Sequence, residues 1–117
     1  MELQKPPLKV VYNLKASINL NNITDHISAY SRRAAREQYE RILARVEMLR
    51  EHPGMGKPAQ EPEHAERGVR FTSEGKYYIF FLVEGQELHV LHVRHSARRS
   101  VSSFDLFGET DETEENE

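Results

Sequence analysis

Seven consecutive residues, Tyr77-Tyr78-Ile79-Phe80-Phe81-Leu82-Val83, constrain this chain more than any other feature. Alternation along a strand sends neighbouring side chains to opposite faces, so a strand with this run is apolar on both. Such a strand has to be covered on each side, as a central strand is. Glycines bound the run: Glu74-Gly75 precedes it and Glu84-Gly85 follows it, each at hairpin distance from another strand-like segment. Residues 69–73, 76–83 and 87–94 therefore read as three antiparallel strands in succession. The last one ends in a knot of cations, Arg94, His95, Arg98 and Arg99, a surface suited to an anion or an acidic protein segment.

The segment before these strands has helical spacing. Leu20, Ile23, Ile27 and Tyr30 recur at steps of three, four and three, with Ser17 as the expected N-cap. Over residues 31–52, Ala35, Tyr39, Ile42, Val46 and Leu49 form one stripe, and arginines and glutamates occupy the other faces, with Glu37 and Arg41 in the favourable i,i+4 order. Pro53-Gly54 stops this second helix. The link around Tyr30–Arg32 is too short for anything but an antiparallel helical hairpin. Residues 8–12, after Pro6-Pro7, read as a short first strand, and residues 53–67 as a loop returning to the sheet. The expected fold class is α+β: an N-terminal strand and an α-helical hairpin packed on a small antiparallel β-sheet.

A chain of 117 residues supports one domain with one modest core. It has no cysteine, which excludes disulfides and cysteine-based zinc sites and fits a reducing compartment. The N-terminus lacks a signal-peptide h-region and no run is long enough to span a bilayer, so the expected location is cytoplasmic. The net charge of −3 hides an asymmetry: residues 109–117 carry six acids and no base. Removing those six of the 19 acids leaves 16 bases against 13 acids, or +3 for the rest. The expected organisation is a folded domain over residues 1–104 and an acidic, disordered tail over residues 105–117, because such a tail buries too little apolar area to order itself.

Strict alternation on the last strand groups Leu88, Val90, His92 and Arg94 on one face and His89, Leu91, Val93 and His95 on the other. His89 and His95 are then about 20 Å apart, too far for one ion, and no metal or other cofactor is expected. Arg70 is expected on or near the sheet face that the helices leave open. A nucleolytic reading needs a base, a cation and an acid. Glu51, Arg70 or Arg94, and His95 are the candidates for those roles. No glycine-rich phosphate loop, GxSxG or cysteine nucleophile is present. A charge of +3 without a dense basic run does not suggest phosphate tracking, and no sequence-specific DNA binding is expected of the chain alone.

The ordered set of a strand, a helical hairpin ending in L-x-x-H-P-x-M-G-K-P, then G-V-R-F, Y-Y-I-F-F-L-V-E-G and V-L-H-V-R-H-S-A-R-R resembles the RelE/ParE superfamily of type II toxins over residues 8–99. Leu49, Pro53, Gly56, Gly68, Arg70, Tyr78, Phe80, Val93, His95 and Arg98 carry it. The resemblance implies an antitoxin partner and a toxin of the plasmid-stabilisation type. Ile27–Tyr30, the His95–Arg98 ending and the lack of any tyrosine after Tyr78 look more like the ParE branch, which inhibits DNA gyrase by binding. Its partner-binding residues here are Arg70, Tyr78, Arg94, His95, Arg98 and Arg99, with no catalytic residue expected. Two alternatives stay open: a RelE-like ribosome-dependent mRNA endonuclease using Glu51, Arg70 and His95, and a non-toxic relative that only binds an antitoxin. The acidic tail lies outside the shared pattern; it reads first as a solubilising segment, with shielding of Arg94, Arg98 and Arg99 in cis as the alternative.

Overall fold

A computed structural model describes residues 6–97 and 101–109. In chain order it contains β1 (Lys9–Tyr12), α1 (Leu14–Ser28), α2 (Arg32–Glu51), β2 (Lys57–Pro58), α3 (Pro62–Glu66), β3 (Arg70–Glu74), β4 (Tyr77–Glu84), β5 (Glu87–His95) and α4 (Ser103–Phe107), with a 3-10 turn at Pro53–Met55. The strands form one sheet in the order β1-β5-β4-β3-β2. β3, β4 and β5 pair antiparallel, as expected from the hairpins. The segment expected to be a loop instead holds α3 and β2, which adds antiparallel to β3. β1 instead lies parallel to β5, with Lys9 opposite Glu87 and Tyr12 opposite Val90, so the sheet is mixed. A parallel pair needs a long crossover, which the helical hairpin and the strands after it supply.

Both hairpin turns place glycine first and a non-glycine second: Gly75 and Gly85 each have φ +60, and among the described residues only glycines have positive φ. This is the II′ pattern, whose twist matches that of the flanking strands. At Gly56 the constraint is space. A Cβ there would sit 2.7 Å from the Phe81 ring and 3.0 Å from the Phe71 carbonyl oxygen.

The doubly apolar β4 is covered twice. On one face Ile79, Phe81, Leu88, Val90 and Val93 pack against Leu20 of α1 and Ile42, Val46 and Leu49 of α2. On the other, Phe80 and Leu91 meet Ala59, Val69, Val101 and Leu106. The second layer is thin and comes from the 57–69 connection and the C-terminal segment. Leu106 is fully buried in it, and α4 begins with a reciprocal capping box between Ser102 and Asp105. The expected domain boundary at residue 104 therefore falls inside a packed helix, and the fold continues through Gly108. A short run, SFDLF, has too few residues to announce itself by periodicity. Most of the acidic tail, residues 110–117, lies outside the described residues.

Two local expectations are corrected. α1 starts at Leu14, capped by Asn13, whose side-chain oxygen accepts from the Ala16 N–H at 2.9 Å; Ser17 is inside the helix. Asn13 is as good a cap as serine and sits where β1 ends. Glu37 pairs with Arg33 at 3.1 Å, while Arg41 and Arg45 reach across to Glu74 of β3 at 3.7 and 3.6 Å. The N-terminus is fastened to the end of α2 in both directions: Leu8 N–H donates to the Arg50 carbonyl at 3.1 Å and Arg50 Nε donates to the Leu8 carbonyl at 2.9 Å.

Two outcomes follow from this packing. Leu106→Ala should cost about 2–5 kcal/mol in urea unfolding; a loss under about 0.5 kcal/mol would show that α4 is not part of the core. Tyr12 has its phenol pKa raised from 10.0 to about 12, mainly by burial, with Glu47 and Tyr39 adding to it. The folded state favours the neutral phenol. Its contribution is complete below about pH 10 and declines between pH 10 and 12, as the unfolded chain ionises first. Tyr12→Phe should reduce that part of the alkaline destabilisation in pH-dependent unfolding curves; identical slopes would contradict the assignment.

Candidate partner-binding site

β5 does not alternate throughout. Phe80 faces His92 but Phe81 faces Val90, so β5 carries one residue too many opposite that step. This bulge reverses the expected facing beyond it. Val93, expected opposite Val90, shares its apolar cluster, while Leu91 joins the opposite layer. At the strand end the partition is clean. Tyr77 pairs with His95 on the helix side, ring centroids 5.5 Å apart at 74°. Tyr78 pairs with Arg94 on the other side.

On that second face the aromatic rings form a row. Phe71 lies 5.0 Å from Tyr78 and 5.7 Å from Phe80, and the Arg94 guanidinium sits 5.5 Å from the Phe80 centroid. Beside the row runs a groove of about 590 Å³, with Met55, Lys57, Thr72 and Ser73 among its walls. Phe80 is buried and supports the row from beneath, while Phe71 and Tyr78 stay half-buried. Half-buried rings beside an arginine are the composition of interaction hot spots: the rings contribute apolar area, and the guanidinium both stacks and donates in a fixed fork.

The remaining candidates are scattered. Arg70 stands opposite Phe81, which places it on the helix side rather than on the face expected to be open. Its Nη2 donates to the Gly56 carbonyl, and its Nε is buried without a hydrogen-bond partner among the described residues. Arg70 therefore ties the turn after α2 to β3. His95 shares that helix side but lies four positions further along β4 and one strand beyond it, roughly 16 Å away by sheet geometry. Glu51 is the exposed last residue of α2. The fold does not bring Arg70 and His95 together. Arg98 and Arg99 lie outside the described residues. Among the described residues no group of three or more metal-ligating side chains clusters, and His89 sits 3.0 Å from Glu87. No helix there is long and apolar enough to cross a membrane.

Sequence reading missed Arg67. Its guanidinium donates twice to Glu109, at 2.9 and 3.0 Å, and stacks 3.7 Å over the Phe107 ring. Glu109, the first acid of the 109–117 run, is thus held by Arg67. The hydrogen bond lowers the Glu109 carboxyl pKa and raises that of Arg67. Forty-two positions separate the pair, so no local pattern reveals it. A second missed set, Asn19, Asn22 and His26, faces the end of β5 from α1.

Comparison with known proteins agrees with this architecture. Residues 10–100 match the family described as the ParE toxin of the type II toxin-antitoxin system, parDE. Over 56 residues the chain is 34% identical to Toxin ParE1 of Caulobacter vibrioides; the match covers 48% of this chain and 54% of that protein, so it spans about half of the relative's length. The solved structure of the chromosomal ParDE system of P. aeruginosa superimposes with a TM-score of 0.63 at 22% identity, covering 75% of this chain and 95% of that one. The toxin-antitoxin complex RelBE2 of Mycobacterium tuberculosis gives 0.52 at 20% identity, covering 81% and 98%. At these identities the two structures establish a shared RelE/ParE-like fold.

The Arg67 contact is open to direct measurement. In a carboxyl-detected NMR titration Glu109 should titrate below the ordinary glutamate range, because the folded state favours its charged form. In Arg67→Gln it should return to that range. An unshifted Glu109 in the unmodified chain would remove the contact from the account.

Proposed function

We propose a function from one premise: the chain belongs to the ParE toxin family of type II toxin-antitoxin systems. It acts as a toxin by binding DNA gyrase, performs no chemistry itself, and is neutralised by a cognate antitoxin. The observation that carries the binding reading is the Phe71-Tyr78-Phe80 row with Arg94 beside it, next to a groove of about 590 Å³. The distance between Arg70 and His95 supports binding over cutting, since an acid and a cation that serve one phosphate have to lie within a few ångströms of it. The two structural neighbours are toxin-antitoxin systems, which supports an antitoxin as the first partner.

The antitoxin segment expected on this face is amphipathic, with apolar side chains for the aromatic row and a carboxylate for Arg94. Tyr78→Ala and Arg94→Ala should each weaken antitoxin binding by tenfold or more, about 1.4 kcal/mol or above, in calorimetric titration. Arg33→Ala, on the exposed flank of α2, should leave it unchanged. Equal affinities across all three variants would place the antitoxin elsewhere.

The activity is tested by inducing the chain alone and pulse-labelling DNA, RNA and protein. DNA synthesis should fall first, and the purified chain should inhibit supercoiling by gyrase in a way that the antitoxin reverses. Prompt loss of protein synthesis with cleaved messages would assign the endonuclease reading instead, and unimpaired growth would assign a non-toxic binding module.

A further inference from the structure

β1 ends at Tyr12, opposite Val90, but β5 continues to His95. Among the described residues no strand covers the outer edge of β5 over that extra length. α1 passes there instead, and a cavity of about 420 Å³ opens between them. Its volume is within the range of small-molecule sites. Asn19, Asn22, Ile23 and His26 of α1 form one wall; Tyr77 and residues 92–95 form the other. The four α1 residues follow the i, i+3, i+4, i+7 spacing of a helix face turned toward a sheet, where apolar residues are the rule. Three of the four are polar.

The polar groups are set in defined states. His95 Nδ1 accepts the Ala97 N–H at 3.0 Å, so in the neutral ring the proton is on Nε2, which is left as a donor. Asn19 Oδ1 accepts the Val93 N–H at 3.0 Å, which leaves its NH2 as the donor at the cavity. His26 stands on the wall opposite His95. No carboxylate lines the cavity among the described residues. The Tyr77 ring, half-buried and held edge-on to His95, offers a face with Ile23 near it. Donors and histidines without a counter-acid suit an anion. An aromatic face with an apolar neighbour and amides suits a planar heterocycle with hydrogen-bonding edges.

We infer that this cavity is a binding site for a nucleoside phosphate, with the phosphate between His26 and His95 and the base against Tyr77 and Ile23 within reach of Asn19 and Asn22. The site lies on the helix side of the sheet, away from the aromatic row, and does not depend on gyrase or antitoxin binding. A free mononucleotide and the phosphorylated end of a nucleic acid share this chemistry.

The test is titration of the full chain, followed by amide NMR, with 5′-AMP, adenosine, inorganic phosphate and a 5′-phosphorylated tetranucleotide. 5′-AMP should give saturable shifts confined to α1 around Asn22 and to the ends of β4 and β5, with at least tenfold higher affinity than adenosine or phosphate. His95→Ala and Asn22→Leu, each checked for native circular dichroism, should lower that affinity fivefold or more, and Arg33→Ala should not. A tighter tetranucleotide identifies a nucleic-acid end as the source and a weaker one identifies the free nucleotide; both support the site. No saturable shift at millimolar 5′-AMP would overturn it. So would phosphate binding as tightly as 5′-AMP, or variants that bind like the unmodified chain.

Discussion

The fold depends on β4 having no polar face. Ile79 and Phe81 face the helical hairpin, and Phe80 faces the layer built from the 57–69 connection and α4. Each of these side chains contributes a few kcal/mol when fully buried, comparable to a large share of the net stability of a small domain. A chain of this length has one large apolar surface to spend on the helices, yet β4 requires cover on two sides. The second cover is assembled from short pieces: a two-residue strand, a five-residue helix before β3 and another after β5. His64 joins these pieces, buried and 3.0 Å from the Val101 carbonyl oxygen.

The bulge at Leu91 turns this scaffold into two different surfaces. Without it Val93 and His95 would follow Leu91 onto the thin layer, and Arg94 would point into the helices. With it, Val93 completes the larger core, and Tyr77 with His95 meets α1 while Tyr78 with Arg94 joins the aromatic row. A single extra residue therefore divides the cationic end of β5 between a cavity under α1 and the aromatic row on the opposite side.

The elements with strong periodicity were legible in the sequence: the α1–α2 hairpin, the three C-terminal strands and the double cover of β4. Phe80 and Phe81 alone required that cover. The parallel pairing of β1 was not legible, because a four-residue strand carries no mark of its neighbour. Nor was the bulge, since Leu91-His92-Val93 alternates as well as any regular strand and only the register with Phe80 exposes the extra residue. α4 was hidden by the acidic run that follows it. At the candidate site, Tyr78 and Arg94 lie together on one face, whereas Arg70, chosen for its charge, holds a turn through Gly56. Arg67 and the α1 wall of Asn19, Asn22 and His26 depend on long-range placement, which residue types alone do not report.

If β4 organises both layers, its amides open only when the whole chain unfolds. Native-state hydrogen exchange measures this residue by residue. The amides of Ile79 and Phe81, and those of Val90 and Val93 beside them, should exchange with the free energy of global unfolding, while those of α4 exchange at or below it. Exchange of the β4 amides through a cheaper opening, with the helical hairpin still protected, would contradict the dependence of this fold on its doubly buried strand.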